Sequence, residues 1–334
     1  MVSGYVVRPL GLVVGLVKRI AARNLAIALR NSGFLTVLRF HTHLRDRNME
    51  IRVGYRIEIT TTQPVSCVTL LDPHPTRDSD VVGLPTSAVT SLVNGSELPV
   101  RDYIDGFGNK CRRLLLPAGG VRFTNDMIVR DPGTPDQWDK NAPEILPDDL
   151  PSELIEYTLS SRYCEVDELS ATAWNLFGTY APGWNRVQQI CNYVNAHIRF
   201  DYQLARNTRT AAQAMNERVG VCRDFTHLAI ALCRAMNIPA RYCNGFLGDI
   251  GVPPDPAPMD YNAWFEAYLG GKWFVFDARH NVPRIGRILV ARGRDAADIP
   301  MIHTFGPHAL QRFEIVTEEV VPTPGSTELS PIGP

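Results

Sequence analysis

The stretch GVCRDFTHLAIALCRAMNIPAR, residues 220–241, restricts this chain more than any other. Apolar residues Phe225, Leu228, Ala229, Leu232 and Met236 recur at three- and four-residue steps, which predicts one strong helix, and Pro239 stops it. Three strand-like runs follow: ARYCNGFLG (240–248), NAWFEAYLG (262–270) and KWFVFDA (272–278), the last two joined at Gly270-Gly271. A helix followed at once by adjacent strands predicts an α+β domain. More helical periodicity lies upstream, in DELSATAWNLFG, NRVQQICNYVNAHIRF and TRTAAQAMNERVG.

Between Ile51 and about Arg130 the period is that of strands. IRVGYRIEITT alternates apolar and polar residues, and Gly, Pro, Asp and Asn punctuate the runs after it at roughly ten-residue intervals. That spacing predicts a β-sandwich-like region. The Pro- and Asp-rich stretch 131–153 reads as a linker. The expected organisation is an N-terminal extension (1–48), a β-rich domain (49–130), the linker, an α+β core (154–320) and a flexible tail (321–334).

Residues 1–48 hold eight Lys or Arg against Asp46 alone, a balance of about +7 that leaves about −8 on the rest of a chain whose net charge is −1. No bulk positive charge is available for nucleic acid, so no nucleic-acid partner is expected. PLGLVVGLV (9–17) is too short to span a bilayer and runs straight into Lys18-Arg19. The segment reads as an extension outside the working fold, which starts near Met49, and membrane contact is expected only if it is retained.

Seven cysteines, an odd number at scattered spacing, contain no CxxC pair and no Cys/His cluster, so neither structural zinc nor a disulfide framework is indicated. Asp249, Asp255 and Asp260 lack calcium-ligand spacing. The expectation is no metal and no cofactor, a reducing compartment, and a cytoplasmic location.

Cys222 opens the predicted helix directly after Gly220-Val221, where free backbone N–H groups and the helix dipole favour a thiolate. Cys233 and Cys243 read as core residues. Asp224, two residues on, is expected to satisfy N–H groups of the first turn. RVGVCRDFTHLAIALCRAMNIPARYCNGF resembles the nucleophile segment of the transglutaminase-like superfamily, in which Gly-x-Cys opens the central helix and a GIPAR-type strand follows. NAWFEAYLGGKWFVFDAR is similar to that family's second segment, His-Ala-Trp-x-Glu followed by Trp-x-x-x-Asp. The resemblance covers roughly residues 155–290, and the β-rich part resembles the domain that precedes this core in bacterial members. It implies a papain-like transglutaminase core with a Cys–His–Asp triad.

Carried over position by position, Cys222 is the nucleophile and Asp277 the orienting acid, while the family's base position is occupied by Asn262. An amide cannot take up the thiol proton or return one to a leaving amine. His280, in DARHN three residues past Asp277, is the candidate substitute base, with Asn262 as an orienter in the manner of a Cys-His-Asn arrangement. His227 falls away from the apolar stripe, and His303 and His308 cannot be placed. Trp264 and Trp273 are core residues or, alternatively, walls of a substrate groove. Arg284, Arg287, Arg292 and Arg294 read as a solvated basic face or, alternatively, a landing patch for an acidic substrate. Two functions fit: a thiol acyl-transfer enzyme acting on amide bonds of a peptide or protein, or a catalytically silent module that binds a peptide or protein partner.

Overall fold

The computed structural model describes residues 49–321; expectations for residues 1–48 and for most of the tail lie outside the described residues. Strands β1 (Met49–Thr60), β2 (Val65–Thr69), β3 (Val81–Ser91), β4 (Arg101–Ile104), β5 (Lys110–Leu116) and β6 (Val121–Asp131) come first. Helices α1 (Val166–Phe177), α2 (Trp184–His197), α3 (Ala211–Glu217) and α4 (Cys222–Ala235) follow, with the two-residue strands β7 (Arg199–Phe200) and β8 (Val219–Gly220) among them. The remaining strands are β9 (Ala240–Phe246), β10 (Asn262–Leu269), β11 (Lys272–Phe276), β12 (Ile288–Gly293), β13 (Ile302–Thr304) and β14 (Ala309–Glu319).

Two four-stranded antiparallel sheets form the β-rich part, in the orders β14-β1-β6-β3 and β13-β2-β5-β4. The alternation seen in the sequence is realised in β1, where Ile51, Val53, Tyr55, Ile57 and Ile59 face the core. The other face carries Arg52 and Arg56. Arg52 pairs with Asp126 (2.6 Å) across to β6 and with Glu318 (3.1 Å) across to β14. Both sheets recruit strands from beyond residue 300, so the last described strand lies beside the first.

A third antiparallel sheet, β11-β10-β9-β12, carries α4 on one face. The sequence stripe suggests a half-buried helix, but every residue from Asp224 to Ala235 is buried. The polar members are therefore bonded internally, as burial requires. Arg234 donates to Ala240 O and Leu159 O. His227, expected away from the core, is enclosed, stacked on Tyr163 at 5.0 Å and accepting from the Ala296 N–H. The stretch 131–153 is pinned: Asp136 accepts from Arg287 and from the Arg284 N–H, and Ala142 O accepts from the Trp184 N–H.

Candidate active site

β8 delivers the chain to the start of α4. Gly220 is required there by close approach, because a Cβ would lie 2.5 Å from Asp224 Cβ. Asp224 turns back to accept from the Val221 N–H (2.9 Å) and pairs with buried Arg209 (2.9 Å), which matches the first-turn role expected for it. Cys222 then sits at the first helical position, half-buried, whereas the other six cysteines are buried; all seven are free thiols.

The backbone N–H groups of Ala263 and Arg223 lie near enough to the Cys222 sulfur to favour its thiolate. The sequence expectation of a favoured thiolate is nevertheless reversed: burial, reinforced by the Asp260 carboxylate, pushes the thiol up to about 11. Arg279 and the two N–H groups oppose that shift without overcoming it. Desolvation outweighs the helix terminus here.

Asp277 follows directly on β11. Its Oδ2 meets His280 Nδ1 at 2.8 Å and Arg287 at 2.8 Å, while Oδ1 accepts from the N–H groups of Arg279 and His280. Burial alone would raise this carboxyl, but Arg287 and the His280 contact hold it well below the usual carboxylate range. A carboxylate on Nδ1 requires the proton there and leaves Nε2 as the imidazole's other face. Arg287 is itself buried and shared with Asp136 (3.0 Å), and Arg284 is also enclosed, paired with Asp249 (3.5 Å). The solvated basic face expected at these two arginines is instead a set of interior ion pairs.

Asn262, at the head of β10, uses its amide on the protein itself. Its Nδ2 donates to Leu247 O (3.4 Å) and Asp260 O (3.3 Å), and its Oδ1 accepts from Arg279 (3.1 Å). Asn262, Asp260, Arg279, His280, Arg284 and Tyr202 line one shallow groove of about 60 Å³. Cys222 acts electrostatically on Tyr202, and Asp260 and Arg279 act on Cys222, so the thiol adjoins that groove. No hydrogen bond joins Cys222 to His280 among the described residues. Trp264 is enclosed in the core beneath Arg287 (5.1 Å), and Trp273 packs on Tyr157, Tyr268 and Arg241. Neither indole lines the groove. His303 and His308 lie on β13 and beside β14, in the β-rich part.

Sequence reasoning missed Arg279 and passed over Asp260 except as a calcium ligand. The hairpin held the signal: Phe265 pairs with Phe276 at the end of β11, and the turn just beyond carries Arg279 back to Asn262. Among the described residues no group of three or more His, Cys, Asp or Glu is placed to hold a metal ion. Nor is any helix there long and apolar enough to cross a membrane.

A helix-start cysteine packed on an antiparallel sheet, with an acid leaving the third strand, is the arrangement implied by the sequence motifs, and residues 171–278 match the model of the transglutaminase-like superfamily. The chain carries a transglutaminase-like core. A candidate cysteine protease from Cytophaga hutchinsonii is similar to it at 27% identity, with a TM-score of 0.68 over 86% of this chain and 94% of that one. Among curated proteins, an uncharacterised Mycobacterium leprae protein is 31% identical over 109 residues, which are 31% of this chain and 39% of the relative. An uncharacterised Mycobacterium tuberculosis protein is 28% identical over 223 residues, 59% of this chain and 68% of the relative. The family match thus runs from within α1 to the end of β11, and the Cytophaga likeness extends the shared fold over most of the chain.

Proposed function

We propose that this transglutaminase-like protein is a thiol acyl-transfer enzyme acting on amide bonds of a peptide or protein, with Cys222 as nucleophile and His280, oriented by Asp277, as the relocated base. The observation that carries the reading is the 2.8 Å Asp277–His280 contact in the groove beside the thiol. Cys222 passes its proton to His280 Nε2 and its sulfur attacks the carbonyl carbon. The amide C–N bond breaks as the nitrogen takes that proton, leaving a thioester. Water or an amine, deprotonated by the same imidazole, then releases the acyl group and restores the thiol. The Ala263 and Arg223 N–H groups beside the sulfur are the candidate donors to the oxyanion. The similarity to a candidate cysteine protease supports amide chemistry. Free, mostly buried thiols suit a reducing, cytoplasmic setting.

A second reading, a silent module that binds a peptide or protein partner, is favoured by one observation: the Asn262 amide is spent on structural bonds while the thiol stays protonated near neutrality. The pH profile of Cys222 alkylation, read by mass spectrometry, separates the two. Under the enzyme reading the wild-type profile has a limb well below 11, and His280→Ala removes it. Superimposable single titrations near 11 in both proteins establish the silent reading, and Asn262→His would then create the missing limb.

A further inference from the structure

Arg279 and Arg284 line the groove, and Arg287 lies behind it on Asp277; the last two are neutralised by contact. Arg284 is paired with Asp249 and donates to Gly248 O; Arg287 is shared by Asp136 and Asp277. Arg279 has no carboxylate within ion-pair distance among the described residues. It is clamped by two uncharged groups, Asn262 Oδ1 at 3.1 Å and the face of Phe200, over which its guanidinium carbon lies at 4.0 Å. One terminal nitrogen is used by Asn262, and among the described residues no other protein group takes its remaining donors. The side chain is half-buried and lines the groove with His280 and Tyr202. Its charge reaches Cys222, where it lowers the thiol pKa against the effect of burial. Asp260 lines the same groove outside ion-pair distance of Arg279; burial raises its carboxyl pKa, while the Tyr261 N–H and the charge of Arg279 lower it.

We propose that Arg279 is the specificity-determining residue of this groove, binding a carboxylate of the acyl substrate beside Cys222, and that Asn262 is its positioning residue. The proposal rests on the acyl-transfer reading above. A guanidinium offers paired donors in a planar fork that matches a carboxylate, and one left unneutralised keeps that capacity for a ligand. The amide at the family's base position then has a physical purpose. A neutral acceptor there holds the guanidinium without cancelling its charge, whereas a carboxylate would cancel it and an imidazolium would repel it. The substrate carboxylate comes from one of two sources, the C-terminus of a peptide or an Asp or Glu side chain.

Two reagents that differ only in charge test this on the intact chain. Iodoacetate and iodoacetamide both alkylate Cys222, the thiolate forming an S–C bond as iodide leaves, and their rate ratio at low salt reads the local charge. Arg279→Gln lowers the iodoacetate-to-iodoacetamide ratio on the order of tenfold, the effect of one unit charge lost beside a reagent of opposite sign. Arg279→Lys retains most of the ratio, and Asn262→Ala falls towards Arg279→Gln because the clamp is lost. An unchanged ratio in Arg279→Gln overturns the proposal. His280→Ala slows both reagents together and leaves the ratio intact, so a failure of the base assignment is distinguishable from a failure of this one. Protection of Cys222 from iodoacetamide by acetyl-dialanine, by its C-terminal amide, and by acetyl-alanyl-glutamate diamide separates the two sources. Protection by either carboxylate-bearing peptide beyond that of the neutral amide supports the proposal and names the source. Equal protection by all three, or none, overturns it.

Discussion

Replacing Arg287 with Met keeps much of its side-chain volume and removes the cation shared by Asp136 and Asp277. In the wild type those contacts are 3.0 and 2.8 Å, and only 6% of the arginine side chain and 3% of the Asp277 side chain are exposed. Removing one partner of a buried ion pair leaves an uncompensated charge and costs about 3–5 kcal/mol. Against a total stability of roughly 5–15 kcal/mol, that loss is measurable by urea unfolding and does not of necessity unfold the chain. Its pH dependence has a definite sign. In the wild type Asp277 is held below its unfolded pKa, so its contribution is fully present above that unfolded value and is lost only as pH falls through the lower folded value. Without Arg287, only the His280 contact and the two N–H groups oppose burial, so the Asp277 carboxyl rises from its wild-type position and the native variant takes up a proton at higher pH than the wild type does. The deficit of Arg287→Met is therefore full at pH 7 and narrows as pH falls through the variant's folded value. A loss below about 1 kcal/mol at pH 7, or a deficit that widens on acidification, would refute the electrostatic account of Asp277.

Gly220→Ala places a methyl 2.5 Å from Asp224 Cβ, and an overpacked junction of this kind costs about 1–3 kcal/mol, read as a lower Tm together with a changed Cys222 alkylation rate. An Asp224→Ala chain loses both the Val221 cap and the partner of buried Arg209; the expected loss is about 3–5 kcal/mol in urea unfolding, and a change under 1 kcal/mol would contradict the burial of that pair. Deleting residues 309–334 removes β14 and bares one edge of β1, so cooperative unfolding of the β-rich part is expected to disappear from circular dichroism melts. Brief iodoacetamide treatment of the native protein is expected to label Cys222 before any of the six buried cysteines, and earlier labelling of Cys164 or Cys191 in peptide maps would overturn that ordering.

Local pattern alone determined a good deal about this protein. The β-period run from Ile51, the helix stopped by Pro239, the Gly270-Gly271 hairpin and the position of Cys222 at a helix start are all consequences of nearest-neighbour spacing, and the family resemblance follows from the same residues. Asp277 and His280 were legible as a pair because three residues of turn bring them together. Tertiary structure decided the rest, since it depends on groups remote in sequence. Burial and Asp260 turn the Cys222 thiol upward where the helix terminus alone would turn it down. The long-range partners Asp136 and Asp249 convert two of the four apparently solvated arginines, Arg287 and Arg284, into interior ion pairs. β14 closes on β1 across more than 240 residues of chain, a pairing no local period encodes. Asn262 reads in the sequence as a missing base; only the turn after β11, which brings Arg279 to it, gives that amide something to hold.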